Sequence, residues 1–171
     1  MSNVMILTGA GQIGMAIARR MGYGMKIIIG DKNEENANAI STLMNNAGFD
    51  TVAVKSDISS RDSIQNLIAE AQKYGDITMM VNSAGVSPSQ TPIEAILKVD
   101  LYGTAVLLEE VGKVIKPGGV GVTISSQSGH RMPALTPEED EQLATTPTEQ
   151  LLNLEKSKRN GAAVKEIIGD M

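Results

Sequence analysis

The stretch Asn3-Val4-Met5-Ile6-Leu7-Thr8-Gly9-Ala10-Gly11-Gln12-Ile13-Gly14, followed through to Met25-Lys26-Ile27-Ile28-Ile29-Gly30-Asp31, decides the fold. Val4 to Leu7 is a short apolar run without helical spacing, which fits a buried strand. Met15 to Met21 reads as a helix, and Met25 to Ile29 as a second strand leading into Asp31. Strand, glycine turn, helix, strand and acid together make a dinucleotide-binding unit. Gly9 permits the tight turn off the first strand. Gly11 lets backbone approach a pyrophosphate, and Gly14 lets the helix pack closely on the sheet. The helix then presents unpaired N–H groups and its positive dipole end to the phosphates. Thr8, Gln12 and Ile13 complete the loop's candidate binding residues. Asp31 lies 22 positions after Gly9 (31 − 9) and can accept hydrogen bonds from both hydroxyls of an adenosine ribose. It repels a 2′-phosphate, so NAD is expected over NADP, although the cation at Lys32 can tolerate that phosphate.

Working outward, the chain alternates. Asn33 to Ala47 carries Ala37, Ile40, Leu43, Met44 and Ala47 at helical spacing, and Gly48 stops it. Thr51 to Lys55 is a third strand, and Ser56-Asp57-Ile58-Ser59 a loop. Ser59 or Ser60 can cap the next helix, whose apolar face is Ile64, Leu67, Ile68 and Ala71. Ile77 to Val81 is the fourth strand, running into Asn82-Ser83-Ala84-Gly85. A long helix is expected from about Ile93 to Ile115, ended by Pro117-Gly118-Gly119, and a fifth strand from Val120 to Ile124. This alternation predicts an α/β fold with a doubly wound parallel sheet, Rossmann-like, in strand order 3-2-1-4-5 and incomplete on its C-terminal side. Residues 1–131 are expected to form the dinucleotide-binding core.

Residues 132–171 differ in character and are expected to be a flexible or lid-like segment with partial helix. Pro133 to Thr148 is rich in Pro, Thr and Glu, and Leu151, Leu152, Leu154, Val164, Ile167 and Ile168 can form one or two short helices. No sixth strand is apparent.

Composition narrows the partners. The chain has 171 residues, 42% hydrophobic and 20% charged, which suits a single globular domain with a substantial core. A net charge of −5 without a Lys/Arg patch argues against nucleic acid. With no cysteine and a single histidine, His130, disulfides, a zinc site and a catalytic triad are not expected. No apolar run reaches the roughly 20 residues of a membrane span. The first strand begins within three residues of Met1, leaving no room for a leader, so a cytoplasmic protein is expected. The ten methionines read as core filler. The acid run Glu138-Glu139-Asp140-Glu141 reads as a solvated helix start, and Tyr102 beside Gly103 as a packing residue.

Over about residues 1–131 the chain resembles the short-chain dehydrogenase/reductase family. Four elements carry the resemblance: Thr8-Gly9 to Gly14, Asp57 with Ile58, Asn82-Ser83-Ala84-Gly85, and Ile124-Ser125-Ser126-x-x-Gly129. The resemblance implies that Asp57 contacts adenine and that Asn82 to Gly85 steadies the sheet beside the cofactor. It also implies that Ser126 hydrogen-bonds a substrate carbonyl or hydroxyl. An oxidoreductase follows, moving hydride between a nicotinamide dinucleotide and a small alcohol or ketone. A homodimer or homotetramer through the long helix Ile93–Ile115 is implied as well.

The departures are specific. The glycine loop is one residue shorter than the family's usual form, and Ser83 replaces the second Asn of its tetrad. Asp100 stands where the family usually carries an Asn that supports a proton-relay water. The family's Tyr-x-x-x-Lys pair is missing: Tyr102 is the last tyrosine, and Lys156, Lys158 and Lys165 have none four positions upstream. A phenol of ordinary pKa near 10 needs a neighbouring ammonium to exchange protons at neutral pH. The 171-residue chain taken alone is therefore expected to be inactive. The alternative is a dinucleotide-binding module or redox-state sensor without catalysis, but Ser126 favours the enzyme.

Overall fold

A computed structural model describes residues 2–87, 91–131 and 133–154, leaving aside the side chains of Ser128 and His130. The helices expected around Val164, Ile167 and Ile168 lie outside the described residues.

Five strands form one parallel sheet: β1 (Ser2–Thr8), β2 (Lys26–Asp31), β3 (Asp50–Lys55), β4 (Gly75–Asn82) and β5 (Val120–Thr123). Their spatial order is β3-β2-β1-β4-β5, the order the alternation predicts. Thr8 pairs with both Gly30 and Asn82, and Asp31 with Lys55, so the carboxyl ends of β1 to β4 finish side by side. In a doubly wound sheet, ligands bind beyond those ends, where the strand order reverses. The reversal here lies between β1 and β4.

The helices are α1 (Gln12–Met21), α2 (Glu34–Asn46), α3 (Arg61–Gln72), α4 (Ile93–Ile96), α5 (Thr104–Gly112) and α6 (Pro137–Thr145). Strand side chains alternate between faces. Met5, Leu7, Ile27, Ile29 and Val81 cluster with Ala18 of α1 and Met44 of α2. Val4, Ile6 and Ile28, one position out of step, are also fully buried. Gly30, on the Ile28 side of β2, approaches Leu67 of α3 so closely that a Cβ there would lie 2.8 Å from Leu67 Cδ2. Near-continuous apolar strands are what a sheet covered on both faces requires.

Helix ends follow local chemistry. Asn33 caps α2 by accepting from Asn36 N, and Ser60 caps α3 by accepting from Ser63 N. Arg61 of α3 reaches Glu109 at 3.1 Å and also pairs with the buried Glu110, both on α5.

The chain divides into two compact units, Met1–Ala84 with Val106–Ile124, and Gly85–Ala105 with Ser125–Met171. The helix expected over Ile93–Ile115 is helical over Ile93–Gly112, with a change of hydrogen-bond register inside it. After α4, residues Leu97–Gly103 form a π-helical stretch, and α5 closes at Gly112. Glycine weakens a helix interior, and Gly103 and Gly112 mark the end of the π stretch and of α5. Residues 133–154 contain α6 and a 3₁₀ helix at Thr148–Asn153. Thr136 and Glu139 form a reciprocal capping box at the start of α6, with Pro137 in the first turn.

Candidate functional site

In the first unit the glycine turn sits between the ends of β1 and β4. Gly9 has φ +84°, and its N–H donates to the Gly30 carbonyl at 2.8 Å. A Cβ on Gly9 would lie 2.6 Å from Ala84 N, so both conformation and space demand glycine. A Cβ on Gly14 would come within 2.3 Å of Ser83 Oγ and 2.6 Å of the Gly9 carbonyl oxygen. Gly11 is different: nothing lies within 4 Å of the position its Cβ would take. Its lack of a side chain serves no contact within the described residues. The loop is tight behind and open in front.

The Asn82-Ser83-Ala84 segment braces this turn. Ser83 Oγ lies 2.9 Å from both the Thr8 and Gly9 carbonyl oxygens, and Ser83 N–H donates to Thr8 O at 2.9 Å. The buried Thr8 hydroxyl donates to the buried Asn82 Oδ1 at 2.7 Å. Serine at 83 thus suits a short loop, because its hydroxyl reaches two turn carbonyls at once.

Gly11 occupies the N-cap of α1 and offers no side-chain cap, and the first turn holds no acid. By contrast α2, α3 and α6 each carry a side-chain cap. The leading N–H groups of α1 point beyond the sheet with a positive partial charge. Gln12 and Ile13 are exposed there, Ile13 to 58%.

Asp31 closes the other side of the loop. Its Oδ2 accepts Ala10 N–H at 2.8 Å and Asn36 Nδ2 at 3.3 Å, and its Oδ1 accepts Asn33 N–H at 2.8 Å. Asn36 Nδ2 also contacts the Ala10 carbonyl oxygen at 3.2 Å. Ala10 and Asn36 escaped the sequence reading. An asparagine three positions after the Asn33 cap is the only signal that pointed to them.

Lys32 turns away to Asp57, with Nζ 3.0 Å from Asp57 Oδ2. Asp57 Oδ1 accepts from Ser59 N at 2.9 Å and Ser59 Oγ at 2.6 Å. Burial pushes the Asp57 carboxyl up, but the Ser59 hydroxyl, Lys32 and the Ser59 N–H together outweigh it, so it titrates below the ordinary carboxylate range. Ile58 is buried.

The remaining candidates belong to the second unit. Asp100 lies in the π-helical stretch, and its Oδ1 accepts Val86 N–H at 3.1 Å. Burial raises its pKa, against the opposing Val86 bond. Gly85 approaches closely enough that a Cβ there would sit 3.4 Å from Asp100 Oδ1. Ser126 is exposed in the turn ahead of the 3₁₀ helix Gln127–Arg131, and its carbonyl accepts Gly129 N–H at 3.2 Å. Tyr102 bonds Glu149 through its hydroxyl, with oxygens 3.0 and 3.1 Å away. The backbone of His130 lies in that 3₁₀ helix; its side chain is outside the described residues.

Residues 3–137 match the family model described as short chain dehydrogenase. The chain belongs to the short-chain dehydrogenase/reductase family. A short-chain dehydrogenase/reductase of Alternaria brassicicola, bsc3, is 38% identical over 130 residues, which cover 76% of this chain and 47% of that protein. A 3beta-hydroxysteroid dehydrogenase of Mediterraneibacter gnavus is 31% identical over 140 residues, covering 75% of this chain and 51% of its own. This family member therefore spans about half the length of the curated relatives it matches. The crystal structure of a family member from Burkholderia phymatum, solved in complex with NAD, superposes with a TM-score of 0.69. It is 21% identical, and the match covers 84% of this chain and 56% of that one. That likeness establishes the shared fold. Among the described residues, no helix is long and apolar enough to cross a membrane.

Proposed function

We propose that this chain carries the dinucleotide-binding half of an oxidoreductase that moves hydride between NAD(H) and a small alcohol or ketone. The observation that carries this reading is the Asp31 carboxylate held at 2.8 Å from Ala10 N–H, inside a glycine turn whose outer face is open at Gly11. The residues fit such a cofactor. The uncapped start of α1 suits a pyrophosphate, and Asp31 suits a ribose with free hydroxyls. Thr8, Gly9, Gly14, Asn82, Ser83 and Ala84 shape the turn and its support, Gln12 and Ile13 border it, and Asp57 with Ile58 is assigned to the adenine, as their family position implies; Gly85 is the family's next residue. When bound, the dinucleotide supplies or accepts the hydride.

Ser126 is proposed to hold the substrate oxygen by hydrogen bond, as its family position implies. The NAD complex of the Burkholderia phymatum relative and the dehydrogenase relative of Mediterraneibacter gnavus support the cofactor and the substrate class. General acid–base assistance contributes about 10²–10⁴-fold to such reactions. The 171-residue chain contains no Tyr-x-x-x-Lys pair to provide it. It is expected to bind NAD(H) and to transfer hydride slowly. An oligomer formed through the Ile93–Gly112 helical region and a cytoplasmic location accompany this reading, and sedimentation at micromolar concentration tests the oligomer.

Calorimetric titration with NAD and NADP tests the cofactor, with NAD expected to bind more tightly. Absence of binding by either dinucleotide would overturn the reading. Assay of the chain with NADH and a panel of ketones tests the chemistry. Turnover equal to that of an ordinary family member would show that another group does the acid's work.

A further inference from the structure

The acid at the end of β2 is not the only charge beside the ribose end of the site. Lys32 follows Asp31 directly, yet its ammonium does not turn back to that carboxylate. Asp31 already accepts from Ala10 N, Asn33 N and Asn36 Nδ2, at 2.8, 2.8 and 3.3 Å. Lys32 Nζ instead lies 3.0 Å from Asp57 Oδ2, across the gap between the chain leaving β2 and the chain leaving β3. Those two segments stay paired, because Ser56 N–H donates to Asp31 O at 2.9 Å.

The two partners differ in freedom. Asp57 Oδ1 is held by the N–H and hydroxyl of Ser59, and Asp57 N–H donates to Ser63 Oγ at 2.9 Å. That leaves Oδ2 presented at a set position. The Lys32 side chain is 75% exposed, against 32% for Asp57. A fixed carboxylate therefore holds an exposed ammonium. Exposed ion pairs of this kind are weak and exchange readily for another anion. A phosphate ester on the ribose 2′ oxygen is such an anion, and an ammonium binds it as a point charge.

We propose that Asp57 is a specificity-determining residue that disfavours a 2′-phosphorylated dinucleotide by occupying Lys32. The inference rests on the dinucleotide reading above and adds a second determinant to Asp31. Asp31 acts on the 2′ position directly; Asp57 acts through the lysine. An NADP molecule must win Lys32 from Asp57 before the cation contributes, whereas NAD leaves the ion pair intact. The ordinary expectation that a lysine beside the acid favours NADP is thereby muted. The depressed titration of Asp57 keeps it ionised throughout the neutral range, so the competition persists there.

The test is a mutant cycle read as the ratio of the NADP to the NAD dissociation constant, measured by calorimetry on the whole chain. Asp57→Asn keeps an oxygen for Ser59 while removing the charge that holds Lys32. It is expected to lower the ratio about 2-fold to 5-fold, the scale of one exposed ion pair. Lys32→Met is expected to raise the ratio. In the Lys32→Met background, Asp57→Asn is expected to change it by less than about 2-fold, because no lysine remains to be released. An unchanged ratio in Asp57→Asn overturns the proposal. So does an equal shift with and without Lys32, which would mean that the carboxylate repels the phosphate directly. If Asp57→Asn fails to fold, Asp57→Ser, which also removes the charge, takes its place with and without Lys32→Met, and an unchanged ratio there overturns the proposal. Failure of the unaltered chain to bind either dinucleotide would remove the reading beneath it, a result distinct from binding without a shift.

Discussion

The Asp31 carboxylate accepts the backbone N–H of Ala10 at 2.8 Å, bringing the end of β2 to the middle of the glycine turn. One side chain thus organises the loop and is the residue proposed to hold the ribose. The two duties are separable. Asp31→Ala removes the acceptor for a partly buried N–H and is expected to cost about 1–3 kcal/mol in a urea titration. Asp31→Asn leaves an oxygen for Ala10 and is expected to cost less than the alanine variant. Both should narrow the preference for NAD over NADP, because both remove the charge. Full stability with an unaltered preference in either would detach Asp31 from the site.

Gly11 and Gly14 separate binding from folding in the same turn. Gly14→Ala drives a Cβ to within 2.3 Å of Ser83 Oγ and 2.6 Å of a carbonyl oxygen, and overpacking of this kind costs about 1–3 kcal/mol. Gly11→Ala meets nothing within 4 Å, so it is expected to cost only the N-cap's preference for glycine over alanine, about 1 kcal/mol or less. Its dinucleotide affinity should nevertheless fall about tenfold or more, since the Cβ takes space that a pyrophosphate needs. Unchanged affinity in Gly11→Ala would show that no ligand lies against the loop.

Asp100 makes stability depend on pH. Burial raises its carboxyl pKa, so the folded chain keeps a proton there that the unfolded chain has lost. Stability from this group is whole below the ordinary carboxylate pKa. It declines as pH rises through the raised folded value and stays lower above it. Asp100→Asn cannot ionise, yet still offers an oxygen to Val86 N–H. It is expected to be more stable than the parent chain at neutral pH, with the difference vanishing in acid. A difference independent of pH, followed by thermal melts, would refute this.

Thr123 Oγ1, at the end of β5, is buried and, among the described residues, lacks a hydrogen-bond partner. Thr123→Val keeps the shape and removes the unpaired hydroxyl, so stability should rise by about 1 kcal/mol. A loss of stability in denaturant titration would reveal a partner for that oxygen.

The strand–turn–helix–strand pattern of residues 4–31 and three further alternations were enough to determine the sheet order 3-2-1-4-5. They are local signals: apolar runs, glycines and caps such as Asn33 and Ser60 act within a few residues, and right-handed crossovers leave little choice of order. Sequence alone also marked Asp31, Asp57 and the missing Tyr-x-x-x-Lys pair. Tertiary structure decided what these residues hold. The Ala10–Asp31 bond, the Ser83 hydroxyl bridging two turn carbonyls, and the choice of Asp57 over Asp31 by Lys32 join residues 21 to 75 positions apart. Such contacts exist only once the strand ends are aligned. The π-helical stretch at Leu97–Gly103 was hidden for a related reason, since its apolar spacing is that of an ordinary helix and only the folded backbone shows the altered hydrogen-bond register.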